Sequence, residues 1–225
     1  MKDVYIVAGA RTPFGSFGGR FKDVAAEELG VAAAKEAIRR AGLEADHIDN
    51  VVIGNVLQTH RGSPYLARHI ALGGGIPQEV PALTVNRLCG SGMQAVLSGA
   101  QSIRLGESKV ALVGGAENMS QAPYVVRGAR WGIRMGDEKL GDTLQELLTD
   151  KSIGMGMGIT AENLAKKYEI SREEQDAFAL QSQQRAASAQ QKGFLAEEIV
   201  PVHVKGRKGT VVVEEDEHLR PDTTL

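Results

Sequence analysis

The sequence predicts an α/β fold, a parallel-rich sheet wrapped by helices, followed by a mostly helical segment. Short apolar, β-branched runs alternate with longer stretches of helical period between residues 4 and 114, the signature of parallel strands joined by helical crossovers. Glycine supplies 27 of the 225 residues, well above the usual share of about 7%. These glycines follow no Gly-X-Y period and sit where apolar runs end. No repeat of the roughly 20–50-residue kind occurs.

Val4 to Ala8 is continuously apolar and reads as a buried strand, with a glycine-rich loop from Thr12 to Arg20 behind it. Asp23 is placed to cap a helix reaching Ala41. Leu29, Ala33, Ala37 and Ala41 recur every fourth residue as one stripe, and Gly42 marks the stop. Val51 to Gly54 is a second short strand. Ser63-Pro64 opens a helix that ends at Gly73-Gly74-Gly75. Ala82 to Val85 is a third strand, a helix spans about Gly90 to Leu105 before Gly106, and Lys109 to Gly114 is a fourth strand.

Beyond Met119 the texture changes. Gln121 to Gly141 is rich in Gly and Arg and lacks a period. Asp142 to Leu148 and Thr160 to Tyr168 read as short helices. Ser171-Arg-Glu-Glu174 is a capping box for a helix running to about Lys192. Ile199 to Val204 and Thr210 to Val213 flank Lys205-Gly-Arg-Lys-Gly209 in a hairpin pattern. The expected boundary falls near Met119, between residues 1–119 and residues 120–225.

Charge and composition exclude several classes. Lys plus Arg is 26, Asp plus Glu is 28, and the net charge is −2, which argues against a nucleic-acid binder that works by neutralising phosphates. No run approaches the ~18 apolar residues of a membrane span. A single cysteine rules out a disulfide scaffold and a cysteine-based zinc site. With no signal-peptide pattern, the expected location is the cytoplasm.

That cysteine lies in the one segment that carries chemistry, Asn86-Arg-Leu-Cys-Gly-Ser-Gly-Met93, between the third strand and a long helix. At a helix mouth the unpaired backbone N–H groups and the dipole favour negative charge, and a thiolate is the nucleophilic form of cysteine. Gly90 and Gly92 clear side chains from a place where a ligand or another backbone comes close. A lone cysteine reads equally well as a small buried hydrophobe. Gly90-Ser-Gly-Met-Gln-Ala95 also fits the dinucleotide-binding fingerprint. It follows the third strand rather than the first, however, and a preceding cysteine has no role in binding pyrophosphate.

Over essentially its whole length the chain resembles the thiolases, the family of acetyl-CoA acetyltransferases and 3-ketoacyl-CoA thiolases. The likeness rests on the cysteine segment together with Ala10-Arg-Thr-Pro-Phe-Gly15, Gly114-Gly-Ala-Glu-Asn-Met-Ser120, Met157-Gly-Ile-Thr-Ala-Glu162, Ser171-Arg-Glu-Glu-Gln-Asp-Ala-Phe178 and Asp216-Glu-His-Leu-Arg220, in that family's order. The resemblance implies a thiolase-like N-terminal half-domain over residues 1–119, with helices on both faces of the sheet. It further implies a loop domain over residues 120–225 that covers coenzyme A and carries the oligomerisation loop.

By that resemblance Cys89 is the nucleophile. It takes the acyl group from an acyl-CoA as a new thioester, and a second acetyl-CoA then condenses with it; in reverse, a 3-ketoacyl-CoA is cleaved. The Cys89 N–H would contribute to an oxyanion hole. Met157 matches a residue lining the pantetheine tunnel and Arg220 one near the nucleotide of coenzyme A. Coenzyme A enters as substrate, and neither cofactor nor metal is implied. Expected partners are acetyl-CoA, 3-ketoacyl-CoA and further copies of the chain, with a place in fatty-acid metabolism.

Lys205, Arg207 and Lys208 would suit a phosphorylated nucleotide, or form an ordinary solvated hairpin. Glu117 and Asn118, just past a strand end, read as structural support or as residues that act on the site through a neighbour. His47, His60, His69, His203 and His218 fall in none of the family's catalytic motifs. Gly156 stands where short-chain members often carry histidine, which leaves longer 3-ketoacyl chains open. The family's Gly-His-Pro and Cys-x-Gly-Gly segments, which hold its catalytic histidine and second cysteine, do not occur in these 225 residues. The C-terminal half-domain is therefore expected to be absent, and the chain alone is expected not to turn over. Met93, Ala95, Val96, Ala100 and Ile103 make the cysteine helix apolar on more than one face, as a helix sandwiched between two halves requires. The competing reading is a non-catalytic coenzyme A-binding or scaffolding half that works with a partner chain.

Overall fold

The structure is a computed structural model and describes residues 3–206 and 209–225. It divides into two units. The first takes the chain up to Gln121 together with Leu195–His218, and the second takes Ala122–Phe194 and Leu219–Leu225.

At the centre of the first unit lie three parallel strands, β1 (Asn50–Gly54), β2 (Ala82–Val85) and β3 (Ala111–Gly115), in the order β2-β1-β3. Val52 pairs with Leu83 on one side and with Val113 on the other. The middle strand is buried from Val51 to Gly54, as an unbroken Val-Val-Ile run demands.

Helices α1 (Ala26–Ala41) and α2 (Leu66–Gly73) cover one face, where Val51 and Ile53 join Ala34, Ile38, Leu66 and Ile70 in one core. Helix α3 (Ser91–Leu105) covers the other. There a Cβ on Gly99 would lie 2.5 Å from Val113 Cγ1 and 3.3 Å from Ala111 Cβ, whereas Leu112, between them in sequence, packs on the α1/α2 core. That alternation is the period-2 geometry of a strand covered on both faces.

Several boundaries differ from expectation. Helix α1 starts at Ala26 behind an Ala25 N-cap whose N–H donates to the Glu28 carboxylate at 3.4 Å; Asp23 is not its cap. Gly42 closes the helix in the left-handed conformation (φ 65°), as read from the sequence. Ser63-Pro64 forms a single 3-10 turn ahead of α2, and the Ser63 hydroxyl accepts from the His60 N–H instead of capping the helix.

Of the four-spaced stripe, only Leu29 is buried in α1; the buried positions are Ala26, Leu29, Ala34 and Ile38. Ala33, Ala37 and Ala41 line a cavity of about 440 Å³. Val4–Ala10, β3 and Val96, Gly99, Ala100 and Ile103 of α3 complete its wall. The expected strand at Val4–Ala8 forms no ladder, and Tyr5, Ile6 and Val7 are 78%, 87% and 72% exposed. A ladder needs a neighbour about 4.8 Å away. This segment shares a cavity wall with β3 instead, and the outer edge of β3 pairs with no strand among the described residues.

A single cut near Met119 does not describe the chain, because residues 195–218 return to the first unit. The hairpin β4 (Val202–Gly206) and β5 (Gly209–Val213) buries Val202 and Val213 among Phe21, Val24 and Leu29. Arg40 spans the junction, donating to the carbonyls of Gly9, Glu197 and Ile199. Arg11 grips Asp216 with two hydrogen bonds of 2.7 and 2.9 Å, and Asp216 also accepts from the Phe14 N–H. The first and last of the family-like stretches are thus one contact.

The second unit holds α4 (Thr143–Leu147), α5 (Met157–Lys167) and α6 (Arg172–Gln191), with two short antiparallel pairs. Asp142 caps α4 through the N–H groups of Leu144 and Gln145. The Ser171–Glu174 capping box opens α6 as read from the sequence. Helix α5 starts at Met157, three residues before the expected Thr160, and no residue of α6 is buried. No helix among the described residues is long and apolar enough to cross a membrane.

Two predictions follow from this packing. A Cβ on Gly54, at the end of β1, would lie 2.6 Å from the Ser91 carbonyl carbon and 2.8 Å from the Gly92 nitrogen, whereas one on Gly114 meets nothing within 4 Å. Gly54→Ala is expected to cost about 1–3 kcal/mol of overpacking, with Gly114→Ala within ~0.5 kcal/mol of the parent. Equal urea midpoints for the two variants would contradict the close approach.

The second concerns acid. Burial pushes the Asp49 carboxyl up, but the Ser108 hydroxyl and the N–H groups of Lys109 and Val110 outweigh it and hold its pKa below the usual value. Asp216 is likewise held low, its burial outweighed by Arg11 and the Phe14 N–H. A carboxyl lowered in the folded state stabilises above its unfolded pKa of about 3.9, and that contribution fades as pH falls through the folded value. Asp49→Asn should flatten the loss of stability below about pH 4, followed as urea midpoint against pH.

Candidate functional site

In an all-parallel sheet the loops after the strands gather at one edge, where α/β proteins place their sites. Here the loops after β1, β2 and β3 supply Asn55–Leu57, Asn86–Gly90 and Ala116–Asn118.

Cys89 is exposed and stands one residue before Gly90, the N-cap of α3. The turn that presents it is tight. Leu88 has φ 50°, one of two non-glycine residues among those described in the left-handed region, a conformation a γ-branched residue adopts only when its surroundings impose it. Those surroundings can be named. The Asn86 side-chain oxygen accepts the Leu88 N–H at 2.9 Å, an Asx turn. The Ser91 hydroxyl, buried, donates to the Leu88 carbonyl at 2.6 Å and accepts from the Arg87 N–H at 2.8 Å. The N–H groups of Gly90 and Ser91 donate to the carbonyls of Arg87 and Leu88. The N–H groups of Cys89, Gly92 and Met93 find no acceptor among the described residues, as the first turn of a helix leaves them. An exposed cysteine at the mouth of a helix whose first amides are free suits a nucleophile that passes through an oxyanion, and the reading of Cys89 as a buried hydrophobe is overturned.

Neither Gly90 nor Gly92 is required by a protein neighbour on its own Cβ side, which leaves that space open. A Cβ on Gly92 would meet no protein atom within 4 Å, and one on Gly90 only ordinary contacts from 3.4 Å outward. Gly54 and Gly99 are glycines that let α3 reach the sheet: a Cβ on Gly54 collides with Ser91 and Gly92, and one on Gly99 would lie 2.5 Å from Val113 Cγ1.

Glu117 does more at this edge than its sequence position showed. Its carboxylate accepts from Asn55 Nδ2 (2.9 Å), the Val56 N–H (2.8 Å) and the Leu57 N–H (3.3 Å). Burial pushes its pKa above the usual carboxylate value, against the opposing pull of those donors. Asn118, buried, donates to the carbonyls of Phe21 and Val24 at 2.8 and 2.7 Å and so ties the loop after β3 to the entry of α1. The sequence allowed support of the fold or of the site for both residues but not their partners, most of which are backbone groups about 60 and 95 residues away in the chain.

Met157, half-exposed, is the first residue of α5, and Arg220 is exposed, its N–H donating to Gln183 Oε1. Both belong to the second unit and Cys89 to the first. Lys205 lies in β4, while Arg207 and Lys208 fall outside the described residues. Among the histidines, His69 pairs with Glu27 at 2.9 Å, with His60 3.8 Å from the same carboxylate. Among the described residues no cluster of three or more His, Cys, Asp or Glu side chains is placed to hold a metal.

Comparison with known proteins agrees with this geometry. The family described as "Thiolase, N-terminal domain" matches residues 4–225. Beta-ketothiolase BktB of Cupriavidus necator is 51% identical over 224 residues, which are 100% of this chain and 57% of that protein. The human mitochondrial 3-ketoacyl-CoA thiolase is 50% identical over 226 residues, again 100% of this chain and 57% of the relative. Its crystal structure superposes with a TM-score of 0.95 over 98% of this chain and 56% of that one, and its complex with CoA with a TM-score of 0.93. The chain thus spans a little over half the length of these relatives, the N-terminal part. With the cysteine turn, the three-strand sheet and a match across nearly every residue in agreement, the chain belongs to the thiolase family.

Proposed function

We propose that this chain supplies the acyl-carrying half of a thiolase, with Cys89 as the acyl acceptor. The observation that carries the reading is the exposed Cys89 on a constrained turn at the mouth of α3, where the N–H groups of Cys89, Gly92 and Met93 have no acceptor among the described residues. The Cys89 thiolate attacks the carbonyl carbon of an acyl-CoA. The carbonyl oxygen takes up negative charge, and donors aimed at that charge are worth most where water is excluded. Collapse of the tetrahedral species expels the CoA thiolate, which takes a proton, and leaves an acyl-Cys89 thioester. A second acetyl-CoA, deprotonated at its α-carbon, then displaces Cys89 to give a 3-ketoacyl-CoA; thiolysis is the reverse. The thioester activates both its carbonyl and its α-carbon, so the scheme needs no metal or prosthetic group.

The groups that handle protons in the second half-reaction are not among these residues, since the 225-residue sequence has a single cysteine and no Gly-His-Pro segment. Met157 and Arg220 of the second unit are proposed to contact coenzyme A. A side chain at Gly156 would meet only the Leu148 carbonyl at 3.8 Å and Thr149 Oγ1 at 3.9 Å. Packing therefore does not require glycine there, and its presence favours room for longer 3-ketoacyl chains.

The test is peptide mass spectrometry after incubation with acetyl-CoA. An acetyl adduct on the tryptic peptide Leu88–Arg104, absent in Cys89→Ser, is expected. Retention of coenzyme A without an adduct would favour the non-catalytic scaffolding half instead.

A further inference from the structure

Glu117 has no place in the acyl-transfer scheme. It is nevertheless a partly buried carboxylate at the edge of the sheet where Cys89 is presented. Its hydrogen bonds lead somewhere definite. Glu117, beyond β3, accepts the Val56 N–H of the loop after β1 at 2.8 Å. The carbonyl of the same Val56 accepts Asn86 Nδ2, of the loop after β2, at 3.2 Å. Asn86 in turn holds the Leu88 N–H through its side-chain oxygen at 2.9 Å, in the residue whose left-handed conformation turns the chain into Cys89. Four groups, one from each successive loop and then the turn itself, cross the sheet from its β3 edge to its β2 edge in the observed order β2-β1-β3.

We infer that Glu117 is a positioning residue for the nucleophile: acting through Val56 and Asn86, it sets the Leu88 turn and hence the placement of Cys89 at the mouth of α3. The inference rests on the reading of Cys89 as the acyl carrier. Asn55 closes the assembly from the side, donating to both Glu117 Oε1 and the Ala116 carbonyl. The carboxylate is needed in this place because two of its donors approach one oxygen and the third approaches the other. An isosteric amide keeps one acceptor and turns a donor towards Val56, so Glu117→Gln breaks this relay at its first link with little change of volume. Misplacing a reacting group by about 1 Å is enough to cost large factors in rate.

The test is a double-mutant cycle on Cys89 reactivity in the full chain, with urea stability measured in parallel. Two electrophiles are used: iodoacetamide, which needs no coenzyme A site, and acetyl-CoA. Reaction is read at the Leu88–Arg104 peptide. Glu117→Gln and Asn86→Ala are each expected to lower the saturating rate of acetylation about tenfold, the worth of one charge-assisted hydrogen bond, with the half-saturating acetyl-CoA concentration unchanged. The double variant should be no slower than the slower single one, since both break one chain. Asn86→Asp, which keeps an acceptor for Leu88 but has no N–H for the Val56 carbonyl, cuts the same chain and should stay about as slow as Glu117→Gln. Asn118→Ala, which cuts a neighbouring buried tie outside this chain, should lower stability and leave the rate intact.

Multiplying effects in the double variant, or a Glu117→Gln variant that loses stability but reacts at the parent rate, would overturn the inference. Should acetyl-CoA leave no adduct on the parent while iodoacetamide still reports the Glu117 and Asn86 effects, the acyl-carrier reading fails and the positioning inference stands.

Discussion

The arrangement depends on how closely the first turn of α3 meets the end of β1. Gly54 lets the Ser91–Gly92 backbone lie where any side chain would collide with it. Everything at the nucleophile follows from that contact. The helix mouth is pressed against the sheet edge, its unpaired N–H groups are gathered there, and the residue just before it is forced into a turn that leaves the sulfur in the open. A helix docked farther out would still end in free amides, but the strand loops could not reach its first residues.

The loops then act as a frame. Parallel strands deliver their C-terminal ends to one side of the sheet, so three segments far apart in sequence become neighbours. Polar side chains there have buried backbone groups to satisfy, and leaving one unpaired costs about 1–3 kcal/mol. Glu117, Asn55, Asn86 and Ser91 meet that requirement while holding Leu88 in a conformation it would not choose. The strain of the turn and the polar network are therefore two sides of one device, in which the network stabilises what the chain's own preferences oppose.

Much of this was legible before any coordinates. β2 was read at its observed limits, because a short apolar run between glycine- and proline-bearing turns has few alternatives. The Gly42 and Gly106 stops were legible, since a left-handed cap is the natural use of glycine after a helical run. The Ser171 capping box was legible for the same local reason. The Val4–Ala8 strand was misread because apolar, β-branched residues report a preference, whereas a strand exists only with a partner edge. The stripe on α1 was misread because a spacing of four drifts around a helix of 3.6 residues per turn. Asn86-x-Leu88 is as local a signal, because an asparagine oxygen two residues before an N–H favours an Asx turn.

The sequence by itself determined the family, the alternation of strands and helices, and the one sulfur on which the chemistry rests. Each of these is written in local pattern and residue identity. Only the tertiary structure decided which loop meets which. Glu117 finding Val56, Asn118 finding Phe21 and Val24, Arg11 finding Asp216, and the hairpin at Val202–Val213 returning to the first unit are contacts across tens to hundreds of residues. Their partners are often backbone groups, which every residue carries and which therefore leave no mark in a sequence.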